Sequence, residues 1–212
     1  MVMRILLAIG LAVGVVATGD AAAQSGKCRF VRIVEWAVRA GPAHIVVDGA
    51  INGSKVGIAL DTGAMKSLIL RSTAVRLDLP RKAATGQRMY GVGGETKVEI
   101  ARVEDIKLGD ASTKDMQLYV AGERQIGGGV DVLLGEDFLQ NFDIEFDLAN
   151  QAVRLYQPKD CDGVSLAYWT KETVGEVDIA RVNEYEPRIS LTVQINGKEI
   201  DAILDSARSR PR

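Results

Sequence analysis

The residues best suited to chemistry are Asp61, Thr62 and Gly63, which interrupt a run of aliphatic residues. Val56 to Leu60 before them and Ser67 to Leu70 after them read as two buried strands joined by a tight turn. Thr62 offers a hydroxyl that can bond neighbouring backbone, and Gly63 permits a positive φ or a close backbone approach. We therefore expect the Asp61 carboxylate where apolar walls meet water. Such surroundings shift a carboxylate pKa, as acid-base chemistry requires.

The same pattern returns near the other end of the sequence. Ile195-Asn196-Gly197 precedes Leu204-Asp205-Ser206 at the interval at which Ile51-Asn52-Gly53 precedes Leu60-Asp61-Thr62. An internal repeat of this kind predicts two homologous lobes, in which Asp205 holds the position of Asp61. The second copy differs at its turn, because Ser206 is followed by Ala207 and then by a basic tail at 208–212.

A later aliphatic element, Val130 to Leu139, contains Leu-Leu-Gly and leads into the alternating segment Phe142 to Asp147. Together with the Asp-Thr-Gly-Ala turn, it resembles the signature of the retropepsin-like aspartic peptidases, and the resemblance runs from about Ala43 to Tyr156. It implies an all-β fold, with a closed β-barrel lobe, one or two short helices and an incomplete second copy. An unrelated β-domain is the alternative, because a lone Asp-Thr-Gly is a weak signal.

The resemblance implies an aspartic endopeptidase that acts on polypeptides, uses one Asp from each lobe and needs no cofactor. Two carboxylates a few ångströms apart share a proton, so one can take a proton from water while the other donates to the peptide carbonyl oxygen. The resemblance makes Asp61 the first catalytic residue, Thr62 and Gly63 its supporting turn, and Ala64 part of the substrate site. The rival interpretation is a degenerate, non-catalytic protein that binds peptides or serves as a scaffold.

The second carboxylate is where the sequence departs from the family. Asp205 is the equivalent of Asp61 by repeat, but no glycine follows Ser206 and the rest of a second lobe is missing. We therefore expect the second turn to form with difficulty, and too little apolar surface to hold Asp205 beside Asp61. Activity would then require a homodimer through the first lobe, in which two Asp61 residues meet.

A glycine-rich stretch, Arg88 to Thr96, precedes the alternating pattern of a strand. A phosphate-binding loop is disfavoured, because such a loop is followed by a helix. A glycine-tipped hairpin fits better, and the resemblance makes it a flap over the substrate. An ordinary hairpin is the alternative, since glycine at a turn requires no functional explanation. The candidate substrate-binding residues of the flap are Tyr90, Gly91, Val92, Gly93 and Gly94.

The first residues have the pattern of a secretory signal peptide. Arg4 provides a thin positive region, Ile5 to Val16 is apolar, and Ala21-Ala22-Ala23 offers a small-residue cleavage site. The apolar run is shorter than the roughly 20 residues that span a bilayer. We expect a periplasmic or secreted protein with no stable membrane insertion after cleavage. An uncleaved anchor is the alternative.

Two cysteines, Cys28 and Cys161, bracket the first lobe. An even count in an exported chain predicts a disulfide between them, and closing so long a loop stabilises by about 4 kcal/mol in the chain-entropy model. Two free thiols are the alternative.

Composition disfavours several other classes of protein. The 26 basic and 28 acidic residues leave a formal net charge of −2, so nothing indicates a nucleic-acid surface. A single histidine, His44, disfavours both a zinc site and a Ser-His-Asp hydrolase. Asp143, Glu145 and Asp147 share one strand face, which we interpret as solvated rather than calcium-binding.

The predicted organisation has five parts. They are a signal peptide at 1–23, a lead-in strand at 24–41, the peptidase-like lobe at 42–158, a linker at 159–186 and the truncated start of a second lobe at 187–212.

Overall fold

The computed structural model describes residues 28–40, 44–91, 94–122, 126–181 and 188–207. Strands dominate these ranges, with two short helices and a 3-10 turn at Leu148–Asn150 between them. In chain order the elements are β1 (Arg29–Ala40), β2 (Ile45–Ile51), β3 (Ser54–Leu60), β4 (Leu68–Leu70), α1 (Arg71–Arg76), β5 (Arg81–Gly91), β6 (Gly94–Leu108), β7 (Ala111–Ala121), β8 (Val132–Leu134), α2 (Glu136–Leu139), β9 (Asp143–Asp147), β10 (Ala152–Lys159), β11 (Ala180–Arg181), β12 (Ile189–Ile195) and β13 (Lys198–Ile203).

Six of these strands close into a barrel. Its order is β6, β7, β4, β8, β3 and β2, and β2 returns to β6 with Gly49 opposite Leu108 and Ile51 opposite Ile106. Side chains alternate across each strand, so one aliphatic set fills the interior. Its fully buried members include Ile51, Ile58, Leu60, Ile69, Ile106, Val120 and Val132. The all-β closed barrel with two short helices is as the sequence predicts.

Strand β8 lies between the two strands that flank Asp61. It runs parallel to β3, with Leu60 opposite Leu134, and antiparallel to β4, with Ile69 opposite Val132. Short runs of aliphatic residues such as these are typical of strands that are buried on both faces of a sheet. The crossing fixes both ends of the turn that begins at Asp61.

A tight hairpin delivers β3 to this crossing. Asn52 and Gly53 have φ values of 47° and 79°, the left-handed pair that a two-residue type I′ turn requires. The side-chain oxygen of Asn52 also accepts the backbone N–H groups of Glu104 (3.1 Å) and Asp105 (3.0 Å) in β6. The turn of this hairpin is therefore bonded to the strand that closes the barrel.

Strand β1 connects the barrel to an outer pair of strands. Its last residues pair with β2, and its earlier part pairs with β10, which in turn pairs with β9. At the far end Cys28 and Cys161 are joined, with Cα atoms 4.4 Å apart. The predicted disulfide is present and ties the start of β1 to the chain just after β10.

The acidic face of β9 is covered by one arginine. Arg154 in β10 donates to Glu145 (3.2 Å), Asp147 (3.0 Å) and, in β1, Glu35 (2.9 Å). Glu145 and Asp147 are less exposed than a solvated face implies, because the side chain of Arg154 lies between the strands. The interpretation of this face as solvated is therefore wrong in its detail, since the charges are paired.

The second copy forms a separate three-stranded sheet. Strands β12 and β13 make a hairpin around Asn196 and Gly197, whose φ values of 51° and 76° repeat those of the first turn. The two residues of β11 lie inside the stretch 159–186 that is predicted as a linker. They pair with Ile189 and Ser190 of β12. The hairpin ends just before Asp205.

Within the described ranges, no helix has the length and apolar character needed to cross a membrane. The predicted signal peptide at 1–23 lies outside those ranges, so export stays a prediction.

Candidate active site

Asp61 stands at the end of β3 with its position fixed from two sides. Its backbone N–H donates to the carbonyl of Leu134 in β8 (2.9 Å). Its carboxylate oxygen Oδ1 accepts the N–H groups of Gly63 and Ala64, both at 3.0 Å. The turn that the sequence predicts therefore folds back onto its own carboxylate.

Thr62 joins this turn to the second copy. Its hydroxyl donates to the carbonyl of Leu204 (2.8 Å) and accepts the N–H of Ser206 (2.9 Å). The relation is reciprocal, because the hydroxyl of Ser206 donates to the carbonyl of Leu60 (2.8 Å) and accepts the N–H of Thr62 (3.0 Å). Thr62 is 1% exposed. Four hydrogen bonds thus hold two equivalent turns against each other within one chain.

Asp205 lies directly against Gly63. A methyl group on Gly63 would lie 2.7 Å from Cγ of Asp205 and 2.9 Å from each of its carboxylate oxygens. Asp205 is also folded onto its own turn, because its Oδ1 accepts the N–H of Ala207 (2.8 Å). The structure therefore brings the two repeat-related acids into one site.

This placement corrects the expectation that the short second copy cannot hold Asp205 beside the first turn. Hydrogen bonds from Thr62 and Ser206 hold it, so a large apolar surface is not needed. Of the two reasons expected for a glycine at position 63, the close approach applies and the positive φ does not, since neither Gly63 nor Ala207 has a positive φ. Gly63 is required by the close approach of Asp205, and Ala207 fits the second turn without backbone strain.

Burial and, after it, the negative charge of Asp205 together raise the pKa of Asp61 to about 6, although the amide hydrogen bonds from Gly63 and Ala64 oppose the rise. A carboxyl with this pKa keeps its proton in mildly acidic solution, where an ordinary Asp has lost it. The neighbouring charge of Asp205 and the burial of Asp61 thus both disfavour the ionised form of Asp61.

The candidate flap is a hairpin of β5 and β6. Tyr90 is 73% exposed and lies opposite Glu95, and Gly91 lies opposite Gly94, whose φ is +96°. Val92 and Gly93, at the tip, lie outside the described residues. The hairpin is confirmed, and the substrate-binding role of Tyr90 to Gly94 stays a prediction, as does that of Ala64.

Asp131 supports the crossing and was not singled out from the sequence. Its carboxylate accepts the N–H of Gly57 (3.0 Å), the hydroxyl of Thr73 (2.7 Å) and the guanidinium of Arg76 (2.6 Å). Burial would raise the pKa of Asp131, but these hydrogen bonds outweigh it and hold the pKa below its ordinary value. Asp131 therefore joins β3, β8 and α1 as a permanent anion.

No three His, Cys, Asp or Glu side chains in the described part of the chain are grouped so that they could hold a metal ion.

The segment that forms most of this barrel is similar to a known protein family. Residues 47–138, which include Asp61 and the Leu-Leu-Gly element, match the family model described as aspartyl protease. This match supports a retropepsin-like aspartyl protease family for the lobe. Asp205 and Ser206 lie outside the matched segment. No curated protein matches the chain.

Solved structures with a similar arrangement include three proteases or protease-like domains. A retropepsin-like aspartic protease from Rickettsia conorii has a TM-score of 0.44 and 18% identity, over 62% of this chain and 94% of that one. The EIAV protease in complex with the inhibitor HBY-793 has a TM-score of 0.37 and 27% identity, over 47% and 88%. The retroviral protease-like domain of Ddi1 from Leishmania major has a TM-score of 0.37 and 21% identity, over 56% and 97%.

Proposed function

We propose that this chain is an aspartic endopeptidase that hydrolyses peptide bonds with Asp61 and Asp205 of the same molecule. The observation that best supports the proposal is the reciprocal bonding of Thr62 and Ser206, which holds the two Asp-bearing turns together. A homodimer built on the first lobe would have to displace Ser206 from Thr62. The proposed site is therefore intramolecular.

The proposed reaction uses one proton and one water. Burial favours Asp61 as the holder of the shared proton, which leaves Asp205 as the base. Asp205 takes a proton from water while the water oxygen attacks the carbonyl carbon, and Asp61 donates its proton to the carbonyl oxygen. The tetrahedral intermediate then collapses: its C–N bond breaks, the leaving nitrogen takes a proton from Asp205, and one hydroxyl of the intermediate returns a proton to Asp61. The products are a carboxylic acid and an amine.

The proposed substrate is an extended polypeptide that lies between this acid pair and the hairpin of β5 and β6. The aspartyl protease family supports this class of substrate. The proposed location is the periplasm or the outside of the cell, which the signal-peptide pattern at 1–23 supports.

Cleavage of a denatured polypeptide between pH 4 and 7 tests the proposal. We expect wild-type activity that a peptide mimic with a hydroxyl group at the scissile position inhibits. Asp61→Asn and Asp205→Asn should each lower kcat about 100-fold or more, since each removes one partner of the proton exchange. Asp110→Asn, in the exposed turn between β6 and β7, is the matched control and should leave the rate unchanged.

Two outcomes contradict the proposal. Activity that survives Asp61→Asn would assign the chemistry to another group. A folded wild-type protein that binds the mimic but cleaves nothing would instead identify the non-catalytic peptide-binding protein that the sequence leaves as an alternative.

A further inference from the structure

The loop that carries Asp61 is attached at three places to the last residue of β8 and to the segment that follows it. At its start, the N–H of Asp61 bonds the carbonyl of Leu134 (2.9 Å). In its middle, the N–H of Glu136 bonds the carbonyl of Ala64 (2.8 Å). The third attachment, at the end of the loop, involves side chains.

Ser67 and Asp137 form this third attachment. Oδ1 of Asp137 accepts both the N–H of Ser67 (2.9 Å) and its hydroxyl (2.7 Å). The same hydroxyl accepts the N–H of Gly135 (3.0 Å). Ser67 is 6% exposed, so these groups have little access to water as a substitute.

The fit at Gly135 leaves little freedom between the two segments. A methyl group there would lie 2.7 Å from the carbonyl oxygen of Ala64 and 2.9 Å from the carbonyl carbon of Lys66. The backbone of the loop is therefore packed directly on Gly135. The contacts between Ser67 and Asp137 hold the loop at this distance from the end of β8.

Ala64 connects this attachment to the chemistry. Its carbonyl is held by Glu136, and its N–H donates to Oδ1 of Asp61. A shift of the loop away from α2 would lengthen the hydrogen bond from the Ala64 N–H to the Asp61 carboxylate. We propose that Ser67 and Asp137 are positioning residues, which hold the Ala64 amide on the Asp61 carboxylate and so set its readiness to take and give a proton.

The catalytic consequence rests on the proposed function, but the alignment can be measured without catalysis. Asp205 is the charged neighbour that acts on Asp61 from the second turn. The other charged groups on the packed elements are Glu136 and Asp137 in α2 and Lys66 in the loop. Asp137→Asn removes one of these charges but keeps an oxygen that can accept from Ser67, so it separates charge from geometry.

The test is a carbon-13 NMR titration of the Asp61 side-chain carboxyl in the full chain. Ser67→Ala and Asp137→Ala should raise the pKa of Asp61 by about half a pH unit or more, because a weakened amide hydrogen bond no longer favours the charged form. Asp137→Asn should titrate like wild type. Val153→Ala, in the core strand β10, is a control for general destabilisation and should also titrate like wild type.

Activity measurements add a second readout. If the proposed function holds, Ser67→Ala and Asp137→Ala should lower kcat about tenfold with little change in KM, and Asp137→Asn should retain activity. If the wild type cleaves nothing while the two alanine variants still shift the titration, the positioning role stands and the proposed function fails.

Three results would overturn the positioning role. In the first, folded Ser67→Ala titrates like wild type. In the second, Val153→Ala shifts the titration as much as Ser67→Ala does. In the third, Asp137→Asn and Asp137→Ala shift the titration equally, which would assign the effect to the lost charge rather than to the contact with Ser67. Ser67→Ala removes a single hydroxyl, so the comparison remains decisive even if Asp137→Ala does not fold.

Discussion

Asp61 is a carboxyl group whose burial disfavours its charged form. Its folded-state pKa of about 6 lies above that of an unfolded Asp, so the folded protein binds this proton more tightly than the unfolded chain. The resulting stabilisation is fully present below the unfolded pKa and is lost as the pH rises through about 6. The cost at neutral pH is on the order of 1–3 kcal/mol, allowing for partial solvent screening.

The first prediction follows from this cost. Asp61→Asn removes the buried charge but keeps an oxygen for the Gly63 and Ala64 amides, so at pH 7 it should raise the free energy of unfolding by about 1–2 kcal/mol. The gain should disappear below about pH 4, where wild-type Asp61 is itself neutral. Urea unfolding at both pH values measures it. A variant less stable than wild type at pH 7 would show that the charge is satisfied in the folded state.

The roles of some single residues could be predicted from the sequence, and those of others could not. Asp61 was predictable because aliphatic runs on both sides leave a buried turn as the place for its carboxylate. The role of Ser206 was not, because its partners Leu60 and Thr62 are far away in the sequence and no local pattern reports them. The same holds for Asp131 and Asp137, which look like ordinary surface acids until the chain is folded.

At the scale of elements, the two Asn-Gly hairpins offer an internal comparison. Asn52 and Asn196 have similar left-handed backbones, with φ of 47° and 51°. The Asn52 side chain additionally accepts two amides of β6, whereas the side chain of Asn196 is exposed. The first turn therefore contributes to barrel closure as well as to its own hairpin.

The second prediction uses that difference. Asn52→Ala should lower the free energy of unfolding by about 2–3 kcal/mol, because it adds backbone strain at positive φ and leaves two N–H groups of β6 without their acceptor. Asn196→Ala adds the same backbone strain but removes no contact with β6, so it should lower the free energy of unfolding by only about 1 kcal/mol. Equal losses in chemical unfolding would show that the contacts of Asn52 with β6 add nothing.

Elements with strong local signals were predictable, and those that depend on distant partners were not. The Asn-Gly turn, the aliphatic β8 and the glycine-tipped hairpin all appear where their patterns place them. The two-residue β11 has no strand pattern in the sequence. It forms because the edge of β12 has backbone groups with which it can pair. The pairing of β9 with Arg154 depends on register between strands, which alternation alone does not give.

At the scale of the whole molecule, the disulfide closes a loop of 133 residues around the barrel. The third prediction is that the double variant Cys28→Ser with Cys161→Ser lowers the free energy of unfolding by about 4 kcal/mol through a less restricted unfolded chain. Reduction of the wild type should have the same effect and should add nothing in the double variant. Two reactive thiols in the oxidised wild type would contradict the bond itself.

The second sheet decides whether one molecule is sufficient for activity. From the sequence, we expect another copy to supply the second carboxylate. The structure gives Thr62 an in-chain partner, Ser206, and brings Asp205 to Gly63. An intramolecular pair and an intermolecular pair differ in how activity depends on protein concentration.

The most direct test of the intramolecular site is the initial rate of peptide cleavage as a function of protein concentration, measured for the wild type and for Asp205→Asn. We predict a wild-type rate proportional to concentration throughout, and no measurable rate for Asp205→Asn at any concentration. A wild-type rate that rises with the square of concentration, together with an Asp205→Asn rate equal to it, would contradict the account and assign the pair to two Asp61 residues of a dimer.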